Sequence, residues 1–167
     1  MLLRVALPFV MCLLVFAASF AMAGTVTLDR RGEIHLDNVV EFVEDPTHTQ
    51  SIESIQSTNI LWKQNDDRVF TQGYNDSSWW LKVRITNGQG AELRKLFEIG
   101  YAVLDYIDVY VVDAGAVLST YHLGDKLPYS QRPFNHRFFV VPTTWQPNQT
   151  LDIYLHIRST SSVQVPL

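Results

Sequence analysis

The sequence predicts an all-β domain, a jelly-roll β-sandwich, on three observations. Apolar residues recur with a period of two along two long segments. Short runs rich in β-branched and aromatic residues lie between and around them, and turn residues stand where those runs stop. Almost no stretch shows helical periodicity. A closed barrel satisfies the same pattern, because alternation fixes which residues share a face and not how the sheet curves.

The first segment is not part of this domain. Arg4 supplies one positive charge, Val5 to Phe20 carries none, and Ala21 and Ala23 form an Ala-x-Ala site before Gly24. This reads as a secretory signal peptide over residues 1–23 that exports the remainder; a retained anchor helix is the alternative, disfavoured by Pro8 and by marginal length. Cleavage leaves 144 residues, enough for one domain with a real core, over 24–167. The only cysteine, Cys12, departs with the signal, so the mature chain forms no disulfide.

In the mature chain, Glu33 to Leu36 and Val39 to Phe42 read as weak strands, and Ser51 to Ser57 as one helical turn capped from Thr47 or Thr49. Trp79 to Thr86 is a clear strand: Trp79, Leu81, Val83 and Ile85 take one face, Trp80, Lys82, Arg84 and Thr86 the other, and Asn87-Gly88 turns the chain. Leu96 to Ile99, Leu104 to Val112, Val117 to Tyr121 and His136 to Val141 follow as shorter strands, with Asp113-Ala114-Gly115 as a hairpin turn. Leu151 to Arg158 is the cleanest strand, with Leu151, Ile153, Leu155 and Ile157 pointing inward. No hydrophobic run after Phe20 is long enough to cross a membrane as a helix.

Several chemistries are poorly supported. The net charge is −4 and the two signs are interspersed, which argues against a nucleic-acid surface. The five histidines make no His-x-x-x-His pair, so no metal site or cofactor is expected. There is no Gly-x-Ser-x-Gly and no glycine-rich phosphate loop, and an enzyme is not expected. The carboxylates at Glu41, Glu44 and Asp45, and at Asp66-Asp67, lack the spacing of a calcium loop and read as solvated turns. Asn75-Asp76-Ser77 and Asn148-Gln149-Thr150 match the glycosylation sequon, a match that is cheap.

The polar side of the sheet is more informative. Trp80, Lys82 and Arg84 on one strand, Tyr106, Asp108 and Tyr110 on a second, and Tyr154, His156 and Arg158 on a third combine flat rings with hydrogen-bonding groups. Sugar rings pack their C–H faces on aromatics while charged groups meet their hydroxyls, so this set is the candidate ligand-binding face. The alternative is that the rings cover a second packed face, although Lys, Arg and Asp buried there need partners.

Val43-Glu44-Asp45-Pro46, Phe70, Gly73-Tyr74, Ser77-Ser78-Trp79-Trp80-Leu81-Lys82-Val83, Leu104 to Tyr110, Gly124-Asp125, Arg132-Pro133-Phe134, Phe138 to Pro142 and Arg158-Ser159-Thr160 occur in an order that carries a resemblance. From about residue 36 to 167 the chain resembles the second type of periplasmic sensor domain of bacterial seven-transmembrane receptors with diverse intracellular signalling modules. That resemblance implies a jelly roll similar to carbohydrate-binding modules, in the periplasm, as the sensory input of a receptor whose seven helices follow it. The chain departs from the family plan in ending at Val165-Pro166-Leu167, where the first membrane helix is expected, and in having Lys82 where arginine is commoner.

The expected partner is a small-molecule or carbohydrate ligand. A second reading is a protein-interaction domain that meets another receptor's periplasmic domain, with the exposed aromatics as hot spots. A third, a secreted jelly-roll hydrolase, needs facing carboxylates; the nearest pair, Asp105 and Asp108, has opposite parity and so points to opposite faces.

Overall fold

A computed structural model describes residues 24–29, 32–57 and 59–167; the segment read as a signal peptide lies outside them. In chain order the elements are β1 (Thr25–Leu28), β2 (Glu41–Asp45), α1 (Ile52–Ile55), β3 (Lys63–Gln64), β4 (Phe70–Gly73), β5 (Ser78–Asn87), β6 (Leu93–Ile99), β7 (Tyr106–Asp113), β8 (Ala116–Leu123), β9 (Phe139–Trp145), β10 (Thr150–Arg158) and β11 (Val163–Val165). Two short 3₁₀ turns, Asp37–Val39 and Tyr129–Gln131, complete the set. Among the described residues no helix is long and apolar enough to cross a membrane.

The two segments with the strongest alternation become the centre of the molecule. β5 and β10 pair antiparallel in the order β3-β2-β5-β10-β7-β8. β5 is long enough to be shared along one edge: β2 pairs with Ser78 to Lys82, and β1 runs parallel to Arg84 to Asn87. The second layer consists of two ribbons, β6–β9 and β4–β11. The result is an all-β sandwich of mostly antiparallel strands, as the sequence predicts.

Parity decides the core. Trp79, Leu81, Val83 and Ile85 of β5 and all four inward residues of β10 are buried, and Ile107, Val109 and Val111 of β7 continue the same face. Phe97, Ile99, Phe139 and Val141 from one ribbon, and Phe70, Val163 and Val165 from the other, close over them. The Phe70 ring lies 5.0 Å from that of Phe42 and meets Trp79 edge-on at 5.6 Å. Aromatic pairs in such tilted geometry add to the stabilisation from burial alone.

Several boundaries move from their expected places for local reasons. The strand expected from His136 begins only at Phe139, because the Arg132 guanidinium, stacked between the Tyr129 and Phe139 rings, takes the carbonyls of His136 and Arg137 as acceptors. The helical turn is capped by Ser51, whose Oγ accepts from Ser54 N, and not by Thr47 or Thr49. Glu33 to Leu36 joins no ladder, although Leu36 N donates to Leu167 O. β1, β3, β4 and β11 are short strands outside the expected set. The β7–β8 hairpin is as expected: Ala114 and Gly115 form a two-residue loop with φ of 46° and 87°, the pair of positive values a tight hairpin favours.

The carboxylate at Asp45 is not on a solvated turn. It is 2 % exposed and accepts from Thr47 Oγ1, Thr49 N and Gln50 N, so it pins the start of the connection that leads to α1. Burial alone would raise its pKa, but these hydrogen bonds outweigh burial and hold it below the ordinary aspartate value.

Candidate functional site

All nine residues of the predicted face lie on the outer side of the large sheet, because β5, β10 and β7 are neighbours and their registers align residues of equal parity. Pairing places Trp80 opposite His156, His156 opposite Asp108, and Asp108 opposite His122 of β8. One row therefore crosses four strands. A second row runs from Glu41 through Lys82, Tyr154 and Tyr110 to Thr120.

The face is not uniform, and its centre departs from the expected open platform. Trp80 is 1 % exposed and Tyr154 6 %, because the connection between β2 and β3 folds over them. Ile52 and Ile55 of α1 join Trp80, Tyr154 and Val112 in a second, smaller apolar cluster, flanked by Val43, Ile60 and Trp62. Val112 reaches this side by simple alternation, in the same parity as Tyr106, Asp108 and Tyr110 and paired with Asp152 of β10. Burial and the nearby Asp152 carboxylate push the Tyr154 phenol up to about 12. As seated, Trp80 and Tyr154 present no ring face to solvent.

Lys82 belongs to the same covered region. Its Nζ lies 2.5 Å from Glu41 Oε2 and 4.6 Å from the Trp62 ring centre, so its charge is met on two sides. At one end of the sheet Arg84 is also engaged, donating through Nε and Nη2 to the two oxygens of Asp152 at 2.7 and 2.8 Å. That bidentate bond raises the Arg84 pKa. A shallow polar groove of about 540 Å³ lies beside this pair, with Thr86, Asp113 and Thr150 in its wall.

The other end is open. Tyr106 is 40 % exposed, with the Arg158 guanidinium 5.3 Å from its ring centre. Asp108 stands between two histidines, 2.7 Å from His122 Nδ1 and 3.5 Å from His156 Nδ1. Burial works to raise the Asp108 pKa, but the His156 and His122 contacts prevail and lower it. An ionised carboxylate only accepts, so the Nδ1 of His122 carries the proton in its hydrogen bond. The His156 ring stacks on Trp80 at 4.4 Å and 12°, which joins the open end to the covered centre. Tyr110, also stacked on Trp80 at 5.9 Å, is half-buried between them, and burial raises its pKa.

Sequence reasoning missed His122. Its place two residues before the turn glycine, on a strand paired with Asp108, was a usable signal only once strand order was known. Asp105 lies in the bend just before β7, 4 % exposed, where Thr160 donates to it from both backbone and side chain. Among the described residues no cluster of His, Cys, Asp and Glu has the geometry to hold a metal ion.

Comparison with curated proteins found no match. Residues 37–167 match the family described as 7TMR-DISM extracellular 2, which covers both layers of the sandwich and the whole outer face except β1. Three of the residues that carry the resemblance are structural pins: Asp45 holds the α1 connection, Asp105 holds Thr160, and at Gly124 a Cβ would stand 2.0 Å from the Asp105 carbonyl oxygen. The chain belongs to the 7TMR-DISM extracellular 2 family, a family of sensory domains on the extracytoplasmic side of receptors.

Proposed function

We propose that this domain is the periplasmic ligand-binding input of a seven-transmembrane signalling receptor and that its ligand is carbohydrate-like. The observation that carries the ligand class is the open end of the outer face, where Tyr106, Asp108, His122, His156 and Arg158 converge. An exposed ring beside an ionised carboxylate, a guanidinium and two imidazoles offers the stacking surface and the hydrogen-bonding groups that a polyhydroxylated ring needs. Family membership supports the sensory role. A domain of this kind does no covalent chemistry; it shifts a receptor between two states by as much as its ligand prefers one of them.

The test is a glycan array probed with residues 24–167, followed by Tyr106→Ala and Asp108→Asn. A retained glycan whose binding falls about tenfold or more in both variants supports the reading. Retention unchanged by both substitutions places the ligand elsewhere, and no retained glycan removes the carbohydrate class. The receptor role is tested in the DNA after the codon for Leu167, where seven hydrophobic segments are expected.

One observation favours a second reading, an interface with another receptor's periplasmic domain. β8 is an outer strand of the large sheet, and its Val117 and Leu118 are 42 % and 56 % exposed. Concentration-dependent light scattering that is lost in Leu118→Lys would favour it.

A further inference from the structure

On the opposite side of the sandwich, a groove of about 680 Å³ runs between β6, the segment 32–36, the loop 134–138 and residues 166–167. Its size is that of a small-molecule site. Leu28, Ile85, Phe97 and Trp145 form its apolar wall, and all four are buried. We propose that this groove binds a small amphipathic carboxylate, with its apolar body on that wall and its anionic head at Lys95.

The argument rests on unmatched donors. In β6 the alternation Leu93, Lys95, Phe97, Ile99 puts Lys95 on the face that packs into the sandwich, where its three companions are buried and Lys95 itself is half-buried. Among the described residues Lys95 makes no ion pair, although every other charge lining the groove is either engaged or at the exposed rim. Glu98 lies 3.7 Å from His136, the Arg137 guanidinium lies over Phe138 at 4.3 Å, and Glu33 and His35 are exposed.

Register then brings two more polar groups to the same face. Lys95 pairs with Thr143, and the neighbouring inward pair is Leu93 with Trp145. Thr143 Oγ1 and Trp145 Nε1 are both buried without a hydrogen-bond partner, in side chains 5 % and 2 % exposed, and of the two Trp145 lines the groove. Lysine and the indole N–H only donate, so the missing complement is an acceptor. A cation turned into an apolar wall is costly unless an opposite charge joins it. A carboxylate supplies that charge and its acceptor oxygens, and an alkyl or aryl body fits the remaining wall.

The groove is tied to two distant parts of the chain. Gly100 N donates to Pro166 O and Leu36 N to Leu167 O, so an occupant of the groove touches the segments that hold residues 166–167 in place.

An inward lysine on an edge strand can also serve only to block pairing with another strand, and the experiment separates the two roles. Residues 24–167 are titrated with decanoate below its micellar range, with 1-decanol as the uncharged counterpart, by calorimetry and tryptophan fluorescence. The expected result is decanoate binding about tenfold or more tighter than decanol. That preference disappears in Lys95→Met, and the fluorescence change disappears in Trp145→Phe. Lys95→Gln repeats the reading should the methionine variant not fold. Equal binding of decanoate and decanol, no binding of either, or an unchanged preference in the folded lysine variants overturns the proposal. So does a lysine variant that dimerises while its decanoate affinity is unchanged, which assigns Lys95 to edge protection alone.

Discussion

The two faces of the large sheet are made by the same strands with the same alternation, yet they differ in what covers them. The inner face meets two ribbons of strands and forms one continuous core from Leu28 to Val165. The outer face meets a single connection, residues 46–62, which covers Trp80 and Tyr154 and leaves both ends of the sheet bare. A covering layer with its own hydrogen-bond ladder excludes water along its whole length. A connection with one helical turn excludes water only where its few apolar side chains reach.

The sharpest way to break this comparison is to remove one large side chain from the inner layer. Phe70→Ala deletes a ring that touches both Phe42 and Trp79 at a fully buried site, and a loss of about 4 kcal/mol is expected in denaturant unfolding. The corresponding change on the outer side is Ile55→Ala, with an expected loss of about 2–3 kcal/mol. Hydrogen exchange should show it as opening of residues 46–62 with β5 and β10 still protected. Equal loss of protection in both layers would mean that the outer cluster is part of one cooperative core.

The smallest effect comes from the pin at the start of the connection. Asp45→Asn is expected to cost about 1–2 kcal/mol, since a neutral amide replaces a carboxylate accepting three hydrogen bonds. The Asp45 pKa is lowered in the folded state, so its contribution is present above the ordinary aspartate range and is lost as pH falls through the folded value. Acid titration of the Trp80 environment, followed by fluorescence in wild type and in Asp45→Asn, should show this loosening in the wild type alone.

Much of the architecture was legible because a strand's side chains alternate whatever surrounds it. The residues of β5 and β10 took the faces their parity assigned, and the hairpin at Ala114-Gly115 followed from its turn residues. The short strands were not legible: β11 has three residues and β3 two, too few for a period to show. The predicted outer face was a correct set of neighbours but not a uniform surface, because burial of Trp80 depends on Ile52 and Ile55, more than 20 positions earlier in the chain. Lys95 was missed for a different reason. The expected strand began at Leu96, three residues after the observed start and just past Lys95, although Leu93, Phe97 and Ile99 already placed Lys95 on the apolar parity.

By itself, then, the sequence determined local geometry and parity, since both arise from contacts between residues close in the chain. Strand order, the partial cover over the outer face and the groove beside β6 arise from contacts between distant segments. Those contacts set the burial of each ring and charge, and burial decides which of them a ligand can reach.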